Sequence, residues 1–520
     1  MRKLLLNSRL LLPPQLIFTI ILILILGIFF RFINLESRMY WHDETYTLLR
    51  ASGYTVEEVI PKIFDGQVIE LEKLKKYQSF NPDKNFVDTI NSLATEDQHH
   101  PPMYYLMTRW WIEYFGDSVM AIRTLPVLIS LFTIPCIYWL CLELFNINLT
   151  GWIAMALMAV SPFHVYYAQE AREYSLWTVM ILLMSASLLQ ALRLKTRLTW
   201  GIYAATTTLT LYSAGFSIFI LISHGIYVAV IEGFRWSKEF VAYLLASFTG
   251  LLAFSPWIVI FCINFAKVRQ STGWMDMTLT PLALAKTWIS NIGFVFFKAL
   301  PIPGSLNLVL ALAVTALVGY SFYILFKETP IRVWLFVLTL ALPLTLTLLL
   351  ADLILGGIRS TNSRYLIPFY LGCQLVVSYF LAYQIISTKL SFWKQKQWAS
   401  ITVIFITVGI ISCGLQSFKQ SVSDNQQVAD IINKASRPLV ISNEVSSKGG
   451  GTFGDIMTLS HLLESKVKFQ LVIDPAIPDI SRKFSDVFLY KISEILNQSL
   501  EKKYKMQPMY KSQLWRLKVQ

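Results

Sequence analysis

The sequence predicts a polytopic α-helical membrane protein that ends in a small α/β domain. Three observations carry this. Of 520 residues, 55% are hydrophobic and 15% charged, with a mean hydropathy of +0.52, too apolar for a water-soluble chain of this size. Apolar windows of roughly 17 to 23 residues, the length that crosses a bilayer, recur as far as residue 415. Beyond Gln416 they stop, and short β-rich runs alternate with helical periodicity.

The first window runs from Leu16 to Phe30, after Arg2, Lys3 and Arg9. No small-residue cleavage site precedes Arg31, so this segment is expected to be a retained anchor. Further windows fall at 122–143, 152–168, 174–192, 200–215, 216–231, 240–260, 304–326, 332–352, 366–386 and 398–415, giving about eleven expected spans. The weakest is 200–215, diluted by Thr206, Thr207, Thr208 and Thr210. Pro101 to Phe115 is membrane-like in composition but only about 15 residues long, short for a span, and carries Arg109 and Glu113. It reads as an interfacial helix.

The formal net charge of +13 does not imply nucleic acid. The basic residues sit in short clusters between apolar runs: Arg193, Lys195 and Arg197; Arg235 and Lys238; Lys327 and Arg332; Lys389, Lys394 and Lys396. With Arg2, Lys3 and Arg9 they mark one side of the membrane, expected to be the cytoplasmic one. The loop 34–121, the loops 164–173, 261–303 and 353–365, and the tail from 416 then lie on the other side.

In the tail, strands are expected at Leu439–Ser442, Val467–Ile473, Val487–Tyr490 and Leu514–Val519. Helices are expected at Val428–Lys434, Ile456–Leu463 and Ile492–Tyr504. Gly449-Gly450-Gly451-Thr452 lacks the lysine spacing of a phosphate-binding loop and reads as a flexible turn. Cys136, Cys141, Cys262, Cys373 and Cys413 fall in or beside apolar spans and act there as small apolar groups.

Polar chemistry gathers on the second side of the membrane. Asp43-Glu44, within Trp41-His42-Asp43-Glu44, is a carboxylate pair about ten residues past the first span, and ionisable groups beside hydrocarbon point to function. His99-His100-Pro101-Pro102 heads the interfacial helix, and Arg123 begins the next span. Ser161-Pro162-Phe163-His164-Val165-Tyr166-Tyr167-Ala168-Gln169-Glu170-Ala171-Arg172-Glu173-Tyr174-Ser175 runs through a tight loop. A loop with Lys267, Arg269, Trp274 and Asp276 follows, then Ser363-Arg364-Tyr365-Leu366-Ile367-Pro368.

In their order and spacing these strings, together with Gly116, Arg123 and Leu125-Pro126, resemble the GT-C glycosyltransferases of the protein mannosyltransferase and aminoarabinose transferase type, in the bacterial branch of glycosyltransferase family 39. The resemblance runs from about residue 16 to 415. It implies a GT-C transmembrane domain over 1–415, including the external loop 34–121, and an extracytoplasmic α/β domain over 416–520. It also implies a hexosyl- or pentosyltransferase of the bacterial inner membrane, moving a sugar from a polyprenyl-phosphate carrier to a glycan, lipid or protein acceptor, with inversion. Asp43 matches the family's catalytic aspartate, and Glu44 stands beside it. A carboxylate can take the acceptor proton as an oxocarbenium-like transition state forms. Arg123, Arg172 and Arg364 suit the departing phosphate, with His100, Glu170 and Tyr365 as further substrate contacts.

Plainer readings stand beside these. Asp43 and Glu44 are also helix-capping types before Thr45, Glu170 with Arg172 is also a loop ion pair, and Arg123 equally suits an interfacial anchor. Arg109, Arg50 and Lys62 read as surface or lipid-headgroup contacts. His99, His100 and Asp43 are metal-ligand types, but Pro101-Pro102 reads as a turn entering a helix, and no metal is assigned. No cofactor motif is present, and a divalent cation stays open. Where the aminoarabinose transferases carry a lysine before Pro-Pro, this chain carries His100. A flippase for polyprenol-linked saccharide and an oligosaccharide ligase are the competing functions. No internal repeat of the transporter kind is found.

Overall fold

The computed structural model describes residues 14–298, 300, 302–418, 423–445, 451–481 and 483–518. Arg2, Lys3, Arg9, Gly449 and Gly450 lie outside them. The chain divides into two compact units: Met1–Asn34, Gln98–Met103 and Arg123–Lys419 form one, and Leu35–Asp97, Tyr104–Ile122 and Gln420–Gln520 the other.

Eight helices among the described residues are long and apolar enough to cross a membrane: Gln15–Phe32, Val119–Phe145, Tyr174–Leu194, Lys238–Ile263, Gly304–Glu328, Ile331–Leu355, Ser363–Ile386 and Phe392–Phe418. Ser363–Ile386 and Tyr174–Leu194 are 89% and 78% buried and so form the middle of the first unit, whereas four others are only 28% buried. Those outer helices turn Phe18, Ile25, Leu245, Phe248 and Leu252 outward, the inverted surface that hydrocarbon permits.

The expected span 152–168 is a pair of helices, Asn148–Ala159 and Pro162–Ala168, bent by 55°. Ser161 caps the second by accepting from the His164 amide, and Pro162 sits where a helix needs no amide hydrogen. Counting the pair gives up to nine spans rather than eleven. The two expected at 200–215 and 216–231 are helices Arg197–Ser213 and Ser217–Ile231, of 17 and 15 residues. They are parted where Ala214 turns extended and where the Gly215 backbone lies against the His99 carbonyl, 2.9 Å from where a Cβ would stand. Thr206, Thr207, Thr208 and Thr210 return their hydroxyls to carbonyls three or four residues back, so these four donors are satisfied within the helix.

Two side chains lock the bent helix to the first span. Arg31 is fully buried and donates to the carbonyls of Ala159 (2.6 Å), Met158 (3.0 Å) and Gly27 (2.9 Å), capping the helix end that the bend leaves bare. In return, the Gln169 amide donates to Phe30, Ile33 and Arg31 carbonyls at 2.9, 3.0 and 3.3 Å. Gly27 lets the two backbones meet, since a Cβ there would lie 2.5 Å from the Ala159 oxygen.

The second unit is built on a six-stranded sheet: β1 (Val68–Glu70), β2 (Pro438–Glu444), β3 (Lys468–Ile473), β4 (Asp486–Tyr490), β5 (Lys505–Tyr510) and β6 (Leu514–Lys518), in the order β1-β3-β2-β4-β6-β5. β3, β2 and β4 are parallel and the outer strands antiparallel, with Val440 opposite Phe469 and Leu439 opposite Val487. Strand alternation sends Val440, Phe469, Leu471 and Phe488 to one face and Leu439, Ile441, Val487 and Leu489 to the other. Helix Glu494–Glu501 covers the second face through Leu496 and Leu500.

The first face is covered partly by the loop between the first two spans: Val59, Ile60, Ile63, Leu71 and Leu74 pack there beside Val428, Ile432, Ile456 and Leu459. The second domain is therefore larger than 416–520. The apolar stripe of helix Val56–Ile63 needs a partner, and β3 needs its edge covered; the loop supplies β1 and that helix. The expected tail strands and helices appear within a few residues, and β5 is additional.

Helix Met103–Phe115 also belongs mostly to this unit, with Trp110, Tyr114 and Phe115 exposed. Arg109 and Arg50 are not the surface groups expected. Arg109 is buried and donates to the Ala51 and Asn81 carbonyls at 3.2 and 3.3 Å, and buried Arg50 pairs with Glu96 at 2.6 Å. Each finds polar partners in a loop too irregular to satisfy its own backbone. Lys62 stays exposed beside Glu58.

Candidate active site

The loop Gln169–Glu173 joins the bent helix to the buried span Tyr174–Leu194, and its ends are held by the Gln169 bonds and by that span. Glu170, Arg172 and Glu173 are all buried on it. Arg172 donates to His100 Nε2 at 3.0 Å, and His100 Nδ1 lies 3.0 Å from a Glu173 carboxylate oxygen. A guanidinium only donates, so Nε2 must accept and the ring proton sits on Nδ1, donated to Glu173. Both ring nitrogens are thereby engaged, and His100 orients Arg172.

Glu173 also meets Arg172 Nε at 3.3 Å. Burial pushes its carboxyl pKa up, but Arg172 and His100 more than reverse this, holding it well below the ordinary carboxylate range. The carboxylate that Arg172 meets in this triad is therefore Glu173, a residue absent from the expected site. Its place directly after Arg172 was the available signal.

Arg364 and Tyr365 lie in the turn Ser363–Leu366, which opens the most buried span. The Ser363 hydroxyl is 2.8 Å from that of Tyr167, tying this turn to the bent helix. The ring of Tyr174 then carries two cations: the guanidinium carbons of Arg172 and Arg364 stand 5.9 and 5.8 Å from its centroid, within cation–π range. Two arginines 192 positions apart in sequence thus share one ring. Tyr365 packs edge-on to Phe216 at 5.2 Å.

The hydrogen-bonded Tyr167 and Ser363, the latter next to Arg364 in sequence, also line a cavity of about 470 Å³ together with Tyr166, Asn291, Phe294 and Lys298. The Lys298 ammonium lies 4.2 and 4.0 Å from the Tyr166 and Phe294 ring centroids. Lys298 was not foreseen, being one of three lysines, with Lys267 and Lys286, in the long loop 261–303. Arg123, also in the first unit, is 1% exposed. That excludes an interfacial anchor, whose charged end reaches water.

Asp43 and Glu44 belong to the second unit. Helix His42–Ala51 begins before them, with Trp41 as N-cap, so neither is the cap. Both sit in its first turn, where the helix dipole favours a carboxylate. Asp43 is half-buried and Glu44 fully buried. In the loop Lys267 to Asp276, Asp276 pairs with Arg359, which also holds Asp352 at 3.2 Å, so this loop is anchored to the turn before Ser363.

Residues 99–260 match the family model described as dolichyl-phosphate-mannose-protein mannosyltransferase. No curated protein matches the chain in sequence. In fold the chain is similar to ArnT from Cupriavidus metallidurans bound to undecaprenyl phosphate, with a TM-score of 0.55 and 9% identity over 96% of this chain and 97% of that one. It is also similar to the Archaeoglobus fulgidus oligosaccharyltransferase in the apo form, with a TM-score of 0.51 and 12% identity over 88% of this chain. It spans 64% of that protein's length.

Proposed function

We propose that this chain is a GT-C, protein mannosyltransferase-like membrane glycosyltransferase using a polyprenyl-phosphate-linked sugar, a reading supported by the family-model match over residues 99–260 and by the likeness in fold to ArnT. The observation that carries the reading is the pair of guanidinium groups on the Tyr174 ring, taken with the cavity of aromatic, amide and ammonium lining. Such a site suits the phosphate of an amphiphile: bidentate donors for the oxygens, aromatic surface for the first apolar units. The undecaprenyl phosphate held by the similar ArnT structure is a ligand of that chemistry.

In the proposed reaction the acceptor hydroxyl oxygen bonds to the anomeric carbon as the carbon–oxygen bond to the carrier phosphate breaks. Asp43 takes the hydroxyl proton. Arg172 and Arg364 meet the charge growing on the departing phosphate, and Glu173 with His100 holds Arg172 in place. Attack opposite the leaving group inverts the anomeric centre. Arg123, Glu170 and Tyr365 are assigned to substrate binding, and Glu44 is kept as a second candidate catalytic carboxylate beside Asp43. The acceptor is a glycan, lipid or protein at the outer face of a bacterial inner membrane, with the N-terminus cytoplasmic and the tail outside. The bent helix, a feature transporters use to coordinate cargo, has its bare end closed by Arg31, which favours an enzyme over a flippase.

The test is lipid chemistry. Purified protein, given polyprenyl-phosphate sugars extracted from its host's membranes and an extract of host envelope glycans, should release polyprenyl phosphate as sugar is transferred. Movement of intact lipid-linked sugar across vesicles without release would sink the reading.

A further inference from the structure

The role of the C-terminal segment is legible from what it holds. Helix His42–Ala51 carries Asp43 in its first turn, and its N-cap, Trp41, has no side-chain oxygen with which to cap a helix amide; its carbonyl alone accepts, from Glu44 and Thr45. Helix Phe453–Leu459 packs against it. At Gly454 a Cβ would stand 2.3 and 2.5 Å from His42 Cε1 and Nδ1 and 3.0 Å from Tyr46 Cε2. The bare glycine is thus the floor on which two rings of the Asp43 helix rest. Those rings are themselves paired, with centroids 4.8 Å apart, and Tyr46 meets Phe453 at 6.3 Å.

One turn on, the Thr45 and Thr458 hydroxyls are 2.9 Å apart and both buried. Thr458 donates to the Gly454 carbonyl at 2.7 Å, so its single proton is spent and Thr45 must be the donor. Behind this, the buried Glu444 carboxylate at the end of β2 accepts from the Phe453 amide at 2.8 Å. A continuous line of contacts therefore runs from the central strand of the sheet to the turn that bears Asp43, all within one unit.

We infer that Phe453–Leu459 is a positioning element for the proposed base, with Gly454 and Thr458 as its positioning residues, so that the tail domain sets the transfer rate without touching substrate. The inference rests on Asp43 being the base. A misplacement of about 1 Å at a reacting group costs about a hundredfold in the steepest cases. Here the shift is one methyl group against two ring edges, in which His42 is exposed and able to give way.

The experiment uses the full-length protein and radiolabelled polyprenyl-phosphate sugars extracted from host membranes. Gly454→Ala should lower the maximal transfer rate about tenfold, within the coupling range for residues in contact, with the half-saturating donor concentration within about twofold. Adding His42→Ala, which removes the colliding ring, should recover the rate to within about threefold of the parent, a rescue that a general loss of packing would not give. If Gly454→Ala does not fold, Thr458→Val decides the matter: it keeps the shape, removes the hydroxyl, and should lower the maximal rate about threefold, the worth of one hydrogen bond, at unchanged donor half-saturation. Parental rates in both single variants would overturn the inference, as would a folded double variant no faster than Gly454→Ala. Asp43→Asn is run alongside. If it transfers normally, the reading of Asp43 has failed; if it is dead while the Gly454 and Thr458 variants are normal, only the positioning inference has.

Discussion

Replacing Arg31 with methionine probes the joint on which the Arg172 loop depends. The substitution keeps much of the side-chain volume and removes three donated bonds, two of them to the carbonyls of Met158 and Ala159 at the bare end of the bent helix. A buried carbonyl left unmet costs about 1–3 kcal/mol, so the two together cost about 2–6 kcal/mol. Against this, exchanging a buried charge for an apolar side chain returns about 1–4 kcal/mol in comparable cases. The midpoints differ by about 1.5 kcal/mol in favour of arginine, so the substitution lowers the melting temperature by about 3 °C or somewhat less for a unit of several hundred residues. Thermal unfolding of the purified protein in detergent reads this directly. Arg31→Lys, with one point charge for two diverging carbonyls, should fall between. The Gln169 bonds to Phe30, Arg31 and Ile33 lie three residues before Arg172, so Arg31→Met should also weaken donor use. A melting temperature equal to or above the parent's would refute the reasoning, because it would mean that the helix end needs no cap.

Arg172→Lys and Arg364→Lys each keep the charge and lose the fork; both should depress donor use strongly while the apparent acceptor affinity stays within about threefold, or roughly 0.65 kcal/mol, in kinetics with the two substrates varied separately. Normal use of the lipid donor by both would move the phosphate assignment to Arg123 or Lys298. Glu173 contributes stability in its charged form. Its folded pKa is depressed by Arg172 and His100, so the contribution is present above the unfolded value of about 4.3 and is lost as pH falls below it. Glu173→Gln should therefore flatten the acid limb of a melting-temperature profile below about pH 4.3, and an unchanged limb would count against the triad.

What the sequence made legible was what repeats or alternates. Long apolar windows located the spans, and the runs around Val440, Phe469 and Leu489 located three core strands, because burial on both faces demands continuous apolar residues. The shorter pieces were not legible. β1 is three residues with only Ile69 buried, and β5 carries Pro508 and no fully buried side chain, as edge strands do; neither leaves a pattern. Without β1 nothing in the sequence indicates that the loop after the first span folds with a tail more than 300 residues later. The site divided in the same way. Arg172 and Arg364 stood out as cations in tight loops. Glu173, Tyr174 and Arg31 did not, because part of what each does depends on partners far away in sequence: His100 for Glu173, Arg364 for Tyr174, and the Met158 and Ala159 carbonyls for Arg31. Arg50 and Arg109 looked like surface charges because burial of an arginine by a carboxylate 46 residues on, as Glu96 does for Arg50, or by loop carbonyls, as for Arg109, has no sequence signature.

Asp43 is the residue on which the proposed reaction turns, and Asp43→Asn is the measurement that tests it most directly. The amide keeps the shape and the first-turn position but cannot take a proton. In the purified, folded variant, transfer from the lipid-linked sugar should fall about 10²- to 10⁴-fold, the usual worth of a general base, with the melting temperature near the parent's. A rate above about a tenth of the parent's, outside that range, would contradict the assignment of Asp43 as base.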